Sequence, residues 1–420
     1  MVKSSKSGVV GRTGWVASGE LGAALAGFVA GILSAKLLGS REFGLYGIAA
    51  ALVATGGAFL SVPLDDMASR RYQEVKAKGG DAEQMWSLYY WVNLVFGLLR
   101  FLLLLCAIPV FALLYSSRIS ATAAILVLTV TVSTADWMIV GLLNVREKGL
   151  PIGIARAIGP VLRLGLVAVI LPHSALELAL VQLAGSVASS AYLLYEARRD
   201  IRRPSPRSQW IPELRARRSI LGHLFAASSL RGFAGNVDQL VVGRWLGFEA
   251  AGIYRLARSI ASAPTILASV LRFVKSPDIR DAAIAEEFHR LRRILYRLSS
   301  VNVLLGIGAL AGWLLLGRPL INVVLGEEFA PLYLIASLLI VASALEYVTA
   351  WSKVLPVALN RGRLALVDAT WYAASPIPFL AAGIGFFGLP GAAYAMMVVS
   401  TVASIAWWSF VRWALPGADR

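Results

Sequence analysis

Long apolar stretches recur along the whole of this 420-residue chain. A transmembrane helix needs roughly 20 mostly apolar residues, because it crosses a hydrocarbon core about 30 Å thick while rising about 1.5 Å per residue. Twelve stretches meet this requirement, at about 13–38, 45–64, 87–114, 120–144, 151–171, 175–197, 219–244, 251–273, 295–317, 331–358, 364–386 and 391–413. Charged residues make up only 15% of the chain, against about 25% in soluble domains. The sequence therefore predicts an all-α polytopic membrane protein with 12 transmembrane helices.

The distribution of positive charge supports this topology. With the N-terminus in the cytoplasm, 28 of the 40 lysine and arginine residues fall in cytoplasmic segments and five fall in exterior loops. Cytoplasmic loops of membrane proteins carry such an excess, so we expect both termini in the cytoplasm. The same rule accounts for most of the net charge of +16. We therefore interpret the arginine-rich segment 198–218 as a topology signal and expect no nucleic-acid partner.

Two segments repeat the same pattern, Lys36–Ala49 and Arg244–Ala257. At an offset of 208 residues, Leu38, Gly39, Gly44, Tyr46 and Ala49 correspond to Leu246, Gly247, Gly252, Tyr254 and Ala257. Glycines suit such a turn because they end one helix in a left-handed conformation and let the next begin close by. Six helices per copy preserve the direction through the membrane, which predicts a parallel pseudo-two-fold repeat. The predicted domains are a six-helix bundle at 1–197, a cytoplasmic linker at 198–218 and a second six-helix bundle at 219–420.

The repeated segments also carry a family resemblance. The stretch Leu37–Tyr46, which reads Leu-Leu-Gly-x-x-x-Phe-Gly-Leu-Tyr, its counterpart Asp238–Tyr254 and the segment Gly326-Glu-Glu-Phe329 resemble the polysaccharide-exporter branch of the multidrug/oligosaccharidyl-lipid/polysaccharide superfamily. That branch includes flippases for O-antigen and exopolysaccharide repeat units. The resemblance covers essentially the whole chain. It implies a protein of the bacterial cytoplasmic (inner) membrane that moves undecaprenyl-pyrophosphate-linked oligosaccharides, with membrane lipid and other polysaccharide-assembly proteins as partners.

The sequence offers little for catalysis. The histidines are His173, His223 and His289, scattered without metal-ligand spacing, and no Gly-x-x-x-x-Gly-Lys phosphate-binding loop occurs. The single cysteine, Cys106, lies in an apolar run and excludes an intramolecular disulfide. We therefore expect a protein that is not an enzyme, with no metal site and no cofactor.

Charged residues inside the first six predicted helices are the informative ones, because a charge at the bilayer centre costs about 2.5–3.5 kcal/mol and needs a partner or a watery cavity. Arg100 and Asp136 lie at depths that differ by about 3 Å in antiparallel helices, which predicts either an ion pair or a shared cavity. Arg156 and Arg163 are seven residues apart and share one face of their helix, which carries no acid of its own.

Further charges fall elsewhere in the predicted spans. Arg231 and Asp238 show the same seven-residue spacing within the predicted helix 219–244, so we expect them on one face. Glu20 and Glu346 are isolated acids. We predict that Glu20, Asp136, Asp238 and Glu346 either couple transport to H⁺ or Na⁺ or form structural pairs, because one charge crossing 100 mV yields about 2.3 kcal/mol.

A substrate-binding hypothesis follows from the excess of arginine. Guanidinium groups are always charged and bind phosphate oxygens through two parallel hydrogen bonds. The sequence predicts that Arg100, Arg156, Arg163 and Arg231 line a central cationic cavity between the bundles and hold the pyrophosphate during alternating access. Two alternatives stay open: a drug or organic-ion exporter of the same superfamily, and a membrane glycosyltransferase or polymerase. Exporters of organic cations favour acidic cavities, and predicted exterior loops of about 4–14 residues are short for an enzyme.

Overall fold

The computed structural model describes residues 6–60, 64–202, 218–359 and 362–414, with the single positions 212 and 215. Within those residues the chain is helical and has no β-strand. Eight helical segments there are long and apolar enough to cross a membrane. Two of the eight, Gly14–Phe59 and Arg363–Trp413, each contain a glycine kink. The predicted count of twelve spans therefore stays a prediction, whereas the all-α membrane architecture is confirmed.

The chain divides into two compact units. Unit 1 comprises Met1–Ala30 and Ala49–Gly232, and unit 2 comprises Gly31–Ile48 and Phe233–Arg420. The repeated segment near the N-terminus, apart from its last residue Ala49, therefore belongs by its contacts to unit 2. The division at 197 and 219 that the sequence predicts remains a prediction. Most of the predicted linker 198–218, like both chain ends, lies outside the described residues.

Unit 1 is built from eight helices or parts of helices among the described residues. They are α1 (Lys6–Phe59), whose middle belongs to unit 2, α2 (Leu64–Ala77), α3 (Ala82–Leu114), α4 (Ile119–Val132), α5 (Asp136–Val145), α6 (Gly149–Ile170), α7 (Ala175–Ala197) and α8 (Arg218–Ala234). A 3₁₀ turn, Ser133–Ala135, joins α4 to α5. The core at one end of the unit packs around Trp86, Tyr89 and Leu142, which are fully buried.

Helix α2 is an amphipathic helix that lies almost wholly between the predicted spans 45–64 and 87–114. Leu64, Met67 and Tyr72 are buried against α3 and α5, while Arg71 and Glu74 form an ion pair of 3.2 Å three residues apart. Its apolar positions recur at helical spacing but are too few for a span. A search for stretches of about 20 apolar residues therefore cannot find it.

Besides the middle of α1, unit 2 contains six helices among the described residues. They are α9 (Val237–Ile284), α10 (Phe288–Leu320), α11 (Leu332–Val348), α12 (Leu355–Ala358), α13 (Gly362–Ala374) and α14 (Pro376–Ala414). A π-turn at Ile321–Leu325 and 3₁₀ turns at Glu327–Phe329 and Ala350–Lys353 connect them. The core at one end packs Leu291 and Leu295 of α10 against Trp351 and Trp407.

The structure confirms the internal repeat at its glycines. Gly39 has φ 72° and ψ 171° inside α1, and Gly247 has φ 84° and ψ −176° inside α9. Only glycine adopts this conformation at low cost. Each copy therefore bends its helix at the corresponding residue.

One predicted span is wrong in detail. The stretch 219–244 is not a single helix, because α8 ends at Ala234 and α9 begins at Val237. Asn236, with φ −140°, interrupts the helical backbone. Arg231 and Asp238 consequently lie on different helices, and the expectation that they share one face is wrong.

Candidate functional site

Two adjoining cavities open within unit 1. The α6 cavity, about 270 Å³, is lined by residues that include Asp136, Trp137, Arg156 and Arg163. The α3 cavity, about 470 Å³, is lined by residues that include Asp65, Asn93, Arg100 and Thr134. Four residues line both cavities and are called here the cavity junction: Ser133, Trp137, Gln182 and Ser186. The structure thus brings together three of the four predicted arginines and one of the four predicted acids.

Small residues bring the cavity helices together. A Cβ on Gly19 of α1 would lie 2.3 Å from the carbonyl oxygen of Gly153 in α6, and a Cβ on Gly185 of α7 would lie 2.8 Å from that of Gly159 in α6. Close packing through small residues is how membrane helices approach one another. Helix α6 therefore runs with its backbone against both α1 and α7.

The 3₁₀ turn between α4 and α5 shapes the wall of the α3 cavity. Asn93 of α3 donates a hydrogen bond of 2.8 Å from its side-chain nitrogen Nδ2 to the carbonyl oxygen of Thr134. Arg100, about two turns further along α3, donates from Nη2 to the hydroxyl of Thr134 and, at 3.4 Å, to the carbonyl oxygen of Val130. Arg100 is therefore held by neutral oxygens of the turn and of α4.

The predicted ion pair between Arg100 and Asp136 is not formed among the described residues. Asp136 instead accepts a hydrogen bond of 2.9 Å from Ser190 of α7 on its oxygen Oδ2, and its oxygen Oδ1 accepts none from any described residue. The 3₁₀ turn Ser133–Ala135 interrupts the helix directly before Asp136. A depth that is calculated along one regular helix therefore misplaces Asp136 relative to Arg100.

Arg156 is held between two groups. Its Nε lies 3.4 Å from the carboxylate oxygen Oε1 of Glu20, and its guanidinium carbon lies 4.6 Å from the centre of the Trp137 ring. The contact between Gly19 and Gly153 brings α1 close enough to α6 for this pair. Glu20 is therefore not the isolated acid that the sequence suggested.

The formal charge of the site is close to balance. Arg100, Arg156 and Arg163 are countered by Asp136 and Asp65 on the cavity walls and by Glu20 beside Arg156. The surplus of positive charge that the sequence predicts is therefore not found among these residues. Asp65, at the start of α2, supplies a negative charge there that the prediction did not include.

The remaining predicted residues lie elsewhere. Arg231 is exposed near the end of α8, where its Nε donates 3.2 Å to the carbonyl oxygen of Ala227, and it is not among the described residues that line either cavity. Glu346, in unit 2, forms an ion pair of 3.3 Å with Lys353. It is therefore paired and not isolated.

Asp238 occupies a buried polar cluster in unit 2. It is 2% exposed, forms an ion pair of 2.8 Å with Arg258 and accepts 3.0 Å from the hydroxyl of Tyr254. The backbone N–H of Gln239 donates a further bond of 2.8 Å. Sequence spacing does not reveal this pair, because the kink at Gly247 lies between Asp238 and Arg258.

Outside the predicted spans, ion pairs hold the segment that follows α7 against the start of α3. Arg202 donates to the carboxylates of Asp81 and, at 2.8 Å, Glu83 at the start of α3. The backbone N–H of Gln84, followed by the charge of Arg202, lowers the pKa of the Asp81 carboxyl. Among the described residues no group of three or more His, Cys, Asp or Glu side chains comes together as a metal site.

Most of the chain matches a known protein family. A family described as "Polysaccharide biosynthesis protein" matches residues 9–274, which is most of the chain. The chain belongs to this polysaccharide biosynthesis protein family. The family match includes Glu20, the three cavity arginines and Asp238, and it ends before Glu346.

One similar protein is named "Probable flippase AglR", from Haloferax volcanii. It is 26% identical over 174 residues, which cover 40% of this chain and 36% of the relative. The alignment thus spans little more than a third of that relative's length.

Solved structures of MATE transporters share the fold. An inward-facing multidrug resistance MATE family transporter of the MOP superfamily superposes with a TM-score of 0.66 at 14% identity, over 96% of this chain and 94% of that one. A mutant of the Vibrio cholerae MATE transporter VcmN gives 0.66 at 15% identity, over 97% and 96%. At these identities the likeness shows the fold alone. The family match confirms the predicted resemblance to polysaccharide biosynthesis proteins, and these structures share the predicted all-α membrane fold.

Proposed function

We propose that this protein is a flippase that moves polyprenyl-pyrophosphate-linked oligosaccharide repeat units across the bacterial cytoplasmic membrane for surface polysaccharide, O-antigen or exopolysaccharide assembly. Membership of the polysaccharide biosynthesis family supports this proposal, as does the relative named a probable flippase. The observation that carries it is the grouping of Arg100, Arg156 and Arg163 on the walls of two adjoining cavities in unit 1.

Arginines in this setting suit a pyrophosphate. A guanidinium keeps its charge within the membrane and offers five N–H donors, so Arg100 retains donors beyond those it uses on Thr134 and Val130. The local acids keep the formal charge of the cavity walls near zero, which lowers the cost of holding cations within the bilayer. The incoming pyrophosphate then competes with Glu20 for Arg156.

Asp136 is the acid that we propose for ion coupling. Glu20, Asp238 and Glu346 each form an ion pair with a basic residue, whereas Asp136 forms none among the described residues and lines the α6 cavity. A proton or Na⁺ at Asp136 would remove one negative charge from the wall of the α6 cavity and so favour an anionic substrate there. Transport would then be biased by the ion gradient.

An exporter of organic cations is the second candidate, because the solved structures of similar fold are multidrug transporters. Cation binding favours acids without compensating arginines, and three arginines line the unit 1 cavities. The charge composition of these walls supports an anionic substrate instead. A glycosyltransferase or polymerase is the third candidate, and its chemistry would require a base and a sugar donor site beside these residues.

The test compares Arg163→Ala with Arg118→Ala in cells that lack the native gene. Arg118 is an exposed arginine in the same unit and lines neither cavity, so it controls for loss of one positive charge. We expect Arg163→Ala to reduce export of surface polymer about tenfold or more at equal protein level, because a charge-assisted hydrogen bond contributes about 1.5–3 kcal/mol. Equal export by the two variants would remove Arg163 from the mechanism.

A further inference from the structure

The cavity junction has a chemical character different from the walls on either side. Ser133, Gln182 and Ser186 are neutral hydrogen-bonding residues, and Trp137 completes the set. Arg100 lies on the wall of one cavity and Arg156 and Arg163 on that of the other. Charged groups therefore flank a neutral, partly aromatic patch.

Trp137 exposes a large ring within the membrane span. Trp137 is 60% exposed and lines both cavities. Arg156 covers the ring at 4.6 Å, through a contact that keeps a guanidinium in a fixed place. An exposed aromatic face on a cavity wall offers a negative π surface to partly positive C–H groups.

Gln182 has an acceptor that the protein leaves unused. Its side-chain oxygen Oε1 is buried and accepts no hydrogen bond from the described residues, and the same holds for Oδ1 of Asp136 nearby in the α6 cavity. A buried acceptor without a donor is costly, and an external hydroxyl or amide would relieve that cost. Gln182 lines both cavities.

We propose that the cavity junction binds a neutral pyranose ring, the sugar that is attached directly to the pyrophosphate. Trp137 stacks on the C–H face of the ring, and Gln182 with Ser133 and Ser186 bonds its hydroxyl groups. This inference rests on the proposed function, because the flanking arginines then hold the pyrophosphate. Neutral polar groups with an aromatic ring form the usual kind of wall for an uncharged polar ligand.

The assignment separates two contributions to affinity. Arginines bind any polyprenyl pyrophosphate, whereas the junction adds affinity only when a sugar is present. One hydrogen bond between neutral groups contributes roughly a factor of ten in affinity. The protein should therefore bind a sugar-bearing lipid about 10-fold to 100-fold more tightly than undecaprenyl pyrophosphate.

The experiment measures binding of two lipids to the full-length protein in nanodiscs. One probe is the lipid-linked repeat unit purified from cells that lack this gene, and the other is synthetic undecaprenyl pyrophosphate. The variants are Gln182→Leu and Trp137→Ala, with Gln73→Leu as control, because Gln73 is an exposed glutamine of α2 that lines neither cavity. We expect Gln182→Leu and Trp137→Ala to lower the affinity ratio about tenfold and Gln73→Leu to preserve it.

The outcomes distinguish this inference from the proposed function. If the wild-type protein binds neither lipid, the proposed function is wrong. Equal binding of both lipids by the wild-type protein overturns the sugar site and leaves the flippase proposal in place. If Trp137→Ala lowers the affinity for both lipids by the same factor, the ring only supports Arg156 and the proposal for Trp137 is wrong. An unchanged ratio in Gln182→Leu overturns the assignment of the hydrogen-bonding group.

Discussion

Gly44 and Gly252, which are 208 positions apart, pack reciprocally inside unit 2. A Cβ on Gly44 would lie 1.8 Å from the carbonyl oxygen of Phe248, and a Cβ on Gly252 would lie 1.9 Å from that of Ser40. Phe248 and Ser40 are themselves 208 positions apart. Each copy of the repeat therefore presses its glycine against the corresponding carbonyl of the other copy, as a two-fold relation requires.

Substitution of either glycine should destabilise the protein. In Gly44→Ala and Gly252→Ala the new methyl group meets backbone, which cannot move aside as a side chain can, so the cost should reach about 1–3 kcal/mol or more. Gly308→Ala is the control, since a Cβ there meets no atom within 4 Å and alanine favours a helix. Thermal unfolding in detergent should show lower apparent Tm for the first two variants only; three equal values would contradict the reciprocal packing.

Arg258 and Lys353 provide matched tests of ion pairing in unit 2. Arg258→Ala leaves the nearly buried Asp238 without its cation, at a cost of about 3–5 kcal/mol. Lys353→Ala breaks a pair whose side chains are 38% and 36% exposed, at a cost below about 1 kcal/mol. We expect Arg258→Ala to reduce the yield of folded protein in fluorescence-detected gel filtration, while Lys353→Ala resembles wild type. A normal profile for both would show that the buried cluster is dispensable.

Exchanging the charges of Glu20 and Arg156 distinguishes a structural role of this ion pair from a role in transport. The side chains of Arg156 and Glu20 are 31% and 40% exposed, so each single substitution should change the apparent Tm only slightly. Arg156→Glu should stop export, and the double variant Glu20→Arg with Arg156→Glu should not restore it, because the cation is then on α1 and away from the Trp137 ring. Recovery of export in the double variant would show that the pair serves only to hold α1 on α6.

Asp136→Asn tests the coupling proposal. The amide keeps a hydrogen-bonding group beside Ser190 but cannot carry a charge. In proteoliposomes, an imposed proton or sodium gradient should accelerate substrate movement by wild type and by Glu327→Gln, whose acid is exposed in a 3₁₀ turn. The gradient should have no effect on Asp136→Asn. A gradient response that persists in this variant would exclude Asp136 as the coupling acid.

The sequence permits prediction of features that depend on local pattern. The bends at Gly39 and Gly247 follow from glycine spacing alone, since the same residue in the same context takes the same backbone conformation. The long apolar helices among the described residues follow from the length of the apolar stretches in the sequence. Arg156 and Arg163 lie on one cavity wall, because a regular helix carries residues seven apart on one face.

Contacts between residues on either side of a break in a helix cannot be predicted from residue spacing in the sequence. The partner of Asp238 is Arg258, across a kink whose angle no spacing rule gives, and Glu346 meets Lys353 across a 3₁₀ turn. Asp65 reaches a cavity wall from a short amphipathic helix that hydropathy overlooks. The charge balance of the site therefore needed the three-dimensional structure.

The most direct test of the central claim is reconstitution of the purified protein in liposomes with a fluorescent lipid-linked repeat unit. Movement between leaflets is measured as the loss of fluorescence when a membrane-impermeant quencher is added. We expect rapid movement with wild type and Arg118→Ala, and at least a tenfold slower rate with Arg100→Ala combined with Arg163→Ala. Equal rates for all three proteins would contradict the assignment of the arginine-lined cavities as the path of the pyrophosphate.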